Sequence, residues 1–392
     1  MLAGIVTWAE IDLDAIAANV AAFKRHVGQR VEIIAVVKAN AYGHGAVPVA
    51  RAALAAGATR LAVHRAIEGI ELRRAKIDAP ILVMGYTPPD GAELIAGWNL
   101  TPSAITLEFA QALCAHAEAT GIVIPLHVKV DTGMNRFGLM PGEVLDFLQA
   151  ISRLPGVRLE GLFTHFATAD SADSTHSLAQ LKVFTQVVAA ARQAGFHLPL
   201  VHAANSAATM KLPQAHFDAV RPGIAMYGMH PSSEWIPPFE IRPALTLKSR
   251  LSRVRRIPAG AGIGYGFTHV TQAPTTVALV PVGYGDGYHR ILSNKGAVLV
   301  GGQRAPILGR VSMDQIVVDV SHIPGVQQDD EVVLVGRQGA GQIQAEEVAL
   351  LSGTINYEVT TALLPRVARL YLRGGNLEEV TSLGGRRMVE DR

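Results

Sequence analysis

VEIIAVVKA (31–39), RLAVH (60–64), APILVMGY (79–86), NLTPSA (99–104), IPLHVKVDT (124–132), VRLEGLFTHF (157–166), HLPLVHAAN (197–205) and AVRPGIAMYG (219–228) form a series of eight short apolar runs. They are rich in Val, Ile and Leu, the texture of strands buried on both faces. Between them lie stretches such as DAIAANVAAFKRHV, LEFAQALCAHAEAT and LAQLKVFTQVVAAARQAG. Each sets its apolar residues on one helical face and ends near a glycine, a helix-stop signal. Eight strand–helix units predict a (β/α)8, TIM-like barrel. A doubly wound open sheet would want fewer strands, and a glycine fingerprint after the first one, which is absent.

The texture changes after PSSEWIPPFEIRP (231–243). ALTLKSRLSRVRRI, TTVALVPVGYGDGY, GAVLVGG, RAPILGRVSMDQIVVDV and DEVVLVG read as strands separated by glycines. Helical patterns return only in QAEEVALLSG (344–353) and NYEVTTALL (356–364). The expected class is therefore α/β, with a barrel over residues 1–240 and a mostly β domain over 241–392. The opening strand, GIVTWAEID (4–12), has no barrel role and is available to pair with the second domain. The basic run KSRLSRVRR (248–256) reads as the solvated side of an edge strand, because few aromatics accompany it.

Composition narrows the class of function. The chain has 392 residues, with 49% hydrophobic and 17% charged side chains, as packed globular proteins do. Thirty-five basic against 33 acidic residues leave a formal charge of +2, too balanced for a dedicated nucleic-acid binder. The single cysteine, Cys114, allows no internal disulfide and no cysteine zinc cluster. The fourteen histidines show no metal-ligand spacing such as HExxH, so no metal is expected. No apolar run reaches the ~20 residues of a membrane span. The N-terminus lacks a basic region followed by an apolar one, so no secretory leader is expected. The expectation is a cytoplasmic enzyme.

Barrel enzymes carry their chemistry at the C-terminal ends of the strands. The polar residues there are Lys38, Asn40, Tyr42 and His44 after the first run, and His64 and Arg65 after the second. Lys129, Asp131 and Arg136 follow at the fifth, His165 at the sixth, Asn205 and Ser206 at the seventh, and Arg221 with Gly223 on the eighth. Lys38, flanked by Val36, Val37 and Ala39, is expected to be partly desolvated. That depresses an ammonium pKa and suits a base or a Schiff-base lysine. The plain alternative is a strand-end lysine reaching water. Arg136 could clamp a carboxylate through its fork. Arg221, in an apolar run, must find an acceptor. In GAGIGYGFTH (260–269) the spacing fails the dinucleotide fingerprint. Its glycines instead expose Tyr265 at a loop tip. Cys114 lies on an apolar helix face and reads as core.

AVVKANAYGHG (35–45), VDTGMNRFG, THFATAD (164–170), HAANSAA (202–208), RPGIAMYG, GIGYGFT, PVGYGDGY, GRVSMDQ (309–315) and SGTINYEV (352–359) together resemble the alanine racemases, in order, from about residue 5 to 370. That family combines a barrel with a β domain, binds pyridoxal 5′-phosphate (PLP), and forms homodimers whose active sites are shared across the interface. The resemblance implies that Lys38 binds the cofactor covalently and that Lys38 and Tyr265 are the two bases of L- and D-alanine interconversion. It implies that Tyr42, Ser206, Gly223, Ile224 and Tyr357, with Asn205 beside them, hold the phosphate. Arg221 would meet the pyridine nitrogen. Arg136 would contact the cofactor's phenolic oxygen and the substrate carboxylate. Lys129 would be a carbamylated lysine orienting Arg136. His165 would support Arg221 and the tyrosine. Met313 would enter beside Tyr265 from the partner, and Tyr284, Arg290, Arg310 and Asp170 would line the entrance. VHRAIEGIELR (63–73) matches more loosely, and His64 and Arg65 acquire no role. The implied activity supplies D-alanine for peptidoglycan.

Two other functions fit a PLP barrel. A decarboxylase of related architecture uses a cysteine–aspartate motif near its second domain, whereas the sole cysteine here is in a barrel helix. A non-catalytic PLP-binding module resembles an isolated barrel, whereas this chain carries a second domain with an exposed tyrosine.

Overall fold

The computed structural model describes residues 4–388. The chain divides into two compact units. One comprises Ile16–Ala41 and Ala46–Arg242; the other combines the residues up to Ala15, Tyr42–Gly45, and the chain from Pro243 onward.

The first unit is the barrel. Labelling the opening strand Thr7–Asp12 as β1, its staves are β2 (Glu32–Val36), β3 (Arg60–Val63), β4 (Ile81–Val83), β5 (Thr101–Ala104), β6 (Ile124–Lys129), β7 (Val157–Phe163), β8 (Leu200–His202) and β9 (Ala219–Val220). Neighbours pair in parallel, and β9 returns to β2 through Glu32↔Ala219 and Ile33↔Val220, closing the ring. Each stave falls within one of the eight apolar runs. Ile33, Ile34 and Ala35 are all fully buried, as are Leu61 and Ala62. Burial on both faces explains why these runs do not alternate, and each fully buried Val, Leu or Ile stabilises the unit by about 1.5–3 kcal/mol. The helices obey their local signals. Thr106 caps Leu107–Thr120 through its Oγ1, and that helix stops at Gly121 in the left-handed region (φ 70°). Cys114 on this helix is buried.

The second unit is built on a 12-stranded sheet among the described residues. Its strand order is Arg253–Ile257, Thr275–Val280, Ile316–Asp319, Gln303–Leu308, Ala297–Val300, Glu331–Gln338, Leu245–Arg250, β1, Ala368–Arg373, Asn376–Ser382 and Gly385–Met388, with Gly341–Ile343 paired to Glu331–Gln338. β1 lies antiparallel to Leu245–Arg250 (Thr7↔Ser249) and parallel to Ala368–Arg373 (Trp8↔Ala368). The basic run departs from expectation in its first half. Leu245–Arg250 is interior to the sheet, and Lys248 is bridged to Glu10 at 3.0 Å and Glu331 at 3.1 Å. Of the two strands that carry the run, Arg253–Ile257 is the one at an end of the sheet. A charge run alone cannot reveal such cross-strand partners. No helix of the described residues is long and apolar enough to cross a membrane.

Candidate active site

The barrel's strand ends carry the first group of candidate residues. Lys38 follows β2 directly. The turn after it is made by four consecutive non-glycine residues in left-handed conformation, continued by Gly43 (φ 86°) and Gly45 (φ 101°). Ala39, Asn40, Ala41 and Tyr42 have φ of 52–53°. Such backbone costs roughly 1–2 kcal/mol per residue, so something must hold it. Glu68 does so from the next strand–helix turn. Its Oε1 accepts the Ala39 N–H at 2.6 Å, while its Oε2 accepts those of His64 and Arg65 at 2.7 and 2.8 Å. The Asn40 side chain adds a bond from the Ala46 N–H at 2.8 Å. Lys38 emerges half-buried, and burial, then the charge of Arg136, lower its pKa, with Glu68 opposing and Arg221 adding to the fall.

After β6 the chain wraps around Asp131. Its Oδ1 accepts from the N–H groups of Gly133, Met134 and Asn135, and its Oδ2 accepts from that of Arg136. Burial pushes this carboxyl up, but the four N–H donors prevail and hold it down. The loop thereby fixes the backbone that carries the exposed Arg136. Lys129, at the end of β6, is buried, with its ammonium 5.0 Å from the Phe137 ring centroid and 5.7 Å from that of Phe163. Burial first, then Arg221 and Arg136, lower its pKa to about 8.

Arg221 is 2% exposed. One terminal nitrogen donates to His202 Nδ1 at 2.6 Å; the other donates to the carbonyls of Thr164 (2.7 Å) and Ala203 (3.0 Å) and faces His165 Nδ1 at 3.3 Å. Its guanidinium also lies 5.3 Å from the Phe163 ring. Burial lowers its pKa to about 9. Burial and then the Arg221 charge hold His165 well below the ordinary histidine value, so it is neutral. Asn205 caps the helix Ser206–Lys211 by accepting from the Ala208 N–H. Ser206 Oγ accepts the Gly223 N–H at 2.8 Å. The Gly223 N–H is therefore already engaged within the barrel.

The β unit carries the remaining candidates. Tyr265 is 72% exposed on the loop between Gly262–Ile263 and His269–Val270, flanked by Gly264 (φ 68°) and Gly266 (φ 71°). A Cβ at Gly266 would lie 3.5 Å from the Arg310 guanidinium, so Arg310 stands against this loop. The Tyr284 and Met313 loops are tied together by Tyr284 N–H to Ser312 O (3.1 Å) and Gly285 N–H to Met313 O (2.8 Å). Arg366 locks them with bonds to Asp286 at 2.6 and 2.9 Å, Asp314 at 2.7 Å and Met313 O at 3.3 Å. The Tyr42 and Tyr357 rings lie 6.2 Å apart. Arg290 is exposed on a loop of this unit, and Asp170 on one of the barrel.

The structure thus gathers Lys38, Lys129, Arg136, His165 and Arg221 at one end of the barrel, and pairs Tyr265 with Arg310, Tyr284 with Met313, and Tyr42 with Tyr357 in the β unit. Sequence reasoning missed Glu68, His202 and Arg366. Glu68 had a legible signal: an acid three residues after a helix start is a capping position, even with arginine in place of the usual Ser or Thr. The bonds above engage both terminal nitrogens of Arg221, so its Nε–H is the donor it could offer the ring nitrogen of a PLP-type cofactor.

A barrel with a desolvated lysine among arginines, and a β unit that presents tyrosines, suits an enzyme that forms a Schiff base on that lysine. Comparison with known proteins makes the family specific. The alanine racemase N-terminal domain matches residues 11–231 and the C-terminal domain residues 244–371. The alanine racemase of Desulfovibrio desulfuricans is 45% identical over 365 residues, covering 93% of this chain and 98% of that protein. The crystal structure of the Bacillus anthracis alanine racemase with bound L-Ala-P superposes with a TM-score of 0.92 at 41% identity, covering 96% of this chain and 98% of that one. A histidine racemase from Leuconostoc mesenteroides has the same fold, at TM-score 0.88 and 28% identity, over 95% and 99% of the two chains. The chain belongs to the alanine racemase family, whose cofactor is PLP.

Proposed function

We propose that this chain interconverts L- and D-alanine by a two-base mechanism, with PLP held on Lys38. The observation that carries the reading is the gathering of Lys38, Lys129, Arg136, His165 and Arg221 at the ends of β2, β6, β7 and β9, where burial, then Arg136 and Arg221, lower the Lys38 pKa, the direction a base needs. Bound PLP stabilises the negative charge left when the Cα proton is removed. Lys38 takes or returns that proton on one face. Tyr265 serves the other face, supplied by a second copy in a homodimer together with Met313. A neutral His165, accepting from Arg221 at Nδ1, keeps an N–H at Nε2 with which to steady the tyrosine oxygen. Arg221, buried and donor-only, keeps the cofactor's ring nitrogen unprotonated and so restrains side reactions. Arg136 receives the substrate carboxylate, and Lys129 carries a carbamate that orients it. An amine with its pKa near 8 has the neutral fraction that attack on carbon dioxide requires. Tyr42, Tyr357, Ser206 Oγ and the Ile224 N–H hold the phosphate, with Asn205 fixing the short helix behind them. Gly223 contributes its backbone shape, since its N–H is bonded to Ser206. Tyr284, Arg290, Arg310 and Asp170 narrow the entrance. The activity belongs in the cytoplasm, supplying D-alanine for peptidoglycan.

Borohydride reduction of the PLP-loaded protein should fix the cofactor on Lys38, read by peptide mapping. A chiral assay over alanine, serine, leucine, lysine and histidine should give alanine the highest kcat/KM. Labelling of another lysine would overturn the cofactor assignment. Comparable turnover of histidine or lysine would overturn the substrate, and the Leuconostoc likeness makes histidine the sharper competitor. A decarboxylase reading finds no support in Cys114, which is buried in Leu107–Thr120.

A further inference from the structure

A hydrogen-bonded chain runs from Arg221 through the inside of the barrel, away from the candidate site. Arg221 donates to His202 Nδ1 at 2.6 Å. His202 Nε2 lies 2.8 Å from His127 Nδ1, and His127 Nε2 lies 3.2 Å from Glu160 Oε2. Glu160 is bridged to Arg60 at 3.1 Å, and Arg60 to Glu32 at 3.0 Å. Both imidazoles are fully buried, whereas Glu160 is 12% and Glu32 36% exposed. His202 is stacked on Phe163, with ring centroids 4.8 Å apart and planes 8° apart.

The strand geometry is arranged around this chain. Pairing between β6 and β7 steps from Leu126↔Leu159 to His127↔Gly161, which makes Glu160 an extra, bulged residue. Bulges re-aim side chains. The next residue must also be small: a Cβ at Gly161 would lie 2.7 Å from the His127 ring.

The protonation pattern follows from a donor-only guanidinium at one end of the chain and an accepting carboxylate at the other. Arginine only donates, so His202 Nδ1 carries no proton and Nε2 carries one. That proton is donated to His127 Nδ1, which leaves the His127 proton on Nε2, donated to the Glu160 carboxylate. A cationic His127 would break the pattern, because two N–H groups would then face each other. Burial lowers the pKa of both histidines, as two neutral rings require. The His127 bond, against burial and with Arg60 and Arg158 assisting, holds the Glu160 carboxyl below its ordinary value.

We propose that Glu160 is a positioning residue for Arg221, acting through two imidazoles whose tautomers it fixes. Glu160 accepts at one end, so His202 presents an acceptor at the other and the guanidinium is held with its charge intact. Without that acceptor the two rings can exchange tautomers, and a His202 Nδ1–H would confront an Arg221 N–H. The consequence for the cofactor rests on the reading of Arg221 given above; the tautomer order does not.

The test is side-chain 15N NMR of the full-length protein labelled at histidine, without and with added PLP. The His127 and His202 signals are assigned by their loss in His127→Gln and His202→Gln. The wild type should show both rings neutral with the proton on Nε2, in either state of loading. A His202 Nδ1–H or a cationic His127 overturns the proposal before any variant of Glu160 is made. Glu160→Leu should abolish the single-tautomer signature at both rings. In the PLP-loaded protein it should shift the cofactor's absorption, lower racemase kcat by about 10- to 100-fold, the scale of a misplaced catalytic group, and raise transamination relative to racemisation. Glu160→Gln keeps an oxygen that can accept the same bond, so it should restore the tautomers and most of the kcat. Unchanged tautomers in a folded Glu160→Leu protein, or no difference between Leu and Gln, would defeat the proposal. If the tautomers respond while no racemase activity exists in any form, it is the racemase reading that fails.

Discussion

Removing the Glu68 carboxylate should release the left-handed segment that follows Lys38. Four residues at φ near 52° place a burden of about 4–8 kcal/mol on the surrounding structure. The three N–H bonds to Glu68 are short, at 2.6–2.8 Å, and charge-assisted. They lie near solvent, so each is better credited with about 1 kcal/mol than with the full strength of a buried ionic bond, giving ~3 kcal/mol together. Glu68→Ala should therefore lower the melting temperature of the barrel unit by about 6–12 °C, at the 2–4 °C per kcal/mol expected of a unit this size. The loss should also be catalytic, because the segment sets where the Lys38 backbone points. A displacement of about 1 Å at a reacting group is enough to cost ~100-fold in kcat. Differential scanning fluorimetry with racemase kinetics reads both effects. Removing this charge also takes a stabilising negative neighbour from the Lys38 ammonium, so the pKa of Lys38 should fall further. A Glu68→Ala protein with wild-type melting and wild-type kcat would show that the left-handed turn is held by something else.

Three further outcomes can be measured. Lys38→Ala and Tyr265→Phe chains, each nearly inactive alone, should regain roughly a quarter of wild-type activity when refolded together with PLP, because a two-fold dimer then contains one whole site in half its pairs; no recovery in verified heterodimers refutes the shared site. In carbonate-free buffer, Lys129 should make stability rise between pH 8 and about 10.5, since its pKa falls from 10.5 unfolded to about 8 folded and the unfolded chain binds the extra proton across that window. Lys129→Met should remove that rise, worth up to about 3 kcal/mol, and equal pH profiles by chemical denaturation would count against it. Arg366→Ala should loosen the Tyr284 and Met313 loops and raise the KM for alanine by about tenfold, and Arg366→Lys should not rescue it, because an ammonium lacks the fork that spans Asp286 and Asp314; rescue by lysine would point to charge rather than geometry.

The barrel was legible because doubly buried strands carry their own composition. All eight staves lie inside the eight runs, of which NLTPSA is poor in Val, Ile and Leu, and the polar residues that end those runs stand at the strand ends. What escaped reading depends on partners distant in sequence. Nothing in KANAY announces left-handed backbone, since alanine ordinarily avoids it and is held there by an acid about thirty residues away. His127 carried a weak clue: it shares a strand face with Lys129, two residues on, and a polar residue on the inward phase of a barrel strand needs an internal acceptor. The identity of that acceptor, Glu160, hangs on a bulge that hydrophobic pattern does not encode. Lys248 misled for the same reason, because its two carboxylates come from β1 and Glu331–Gln338.

The sheet that joins β1 to Ala368–Arg373 ties together segments made far apart in time. At ~5–20 residues per second, about 20–70 s separate the emergence of Trp8 from that of Ala368, its neighbour in the ladder. Throughout that interval the early strand, TWAEID, has no parallel partner, and one of its edges stays free even after Leu245–Arg250 has paired with the other. A strand in that condition is open to capture by the same strand of the next nascent chain on a polysome, or by a chaperone that binds extended apolar segments. The yield of this protein in a cell should accordingly depend on how fast the last seventh of its message is translated, and slow codons before residue 368 should cost soluble product while leaving the finished molecule unchanged.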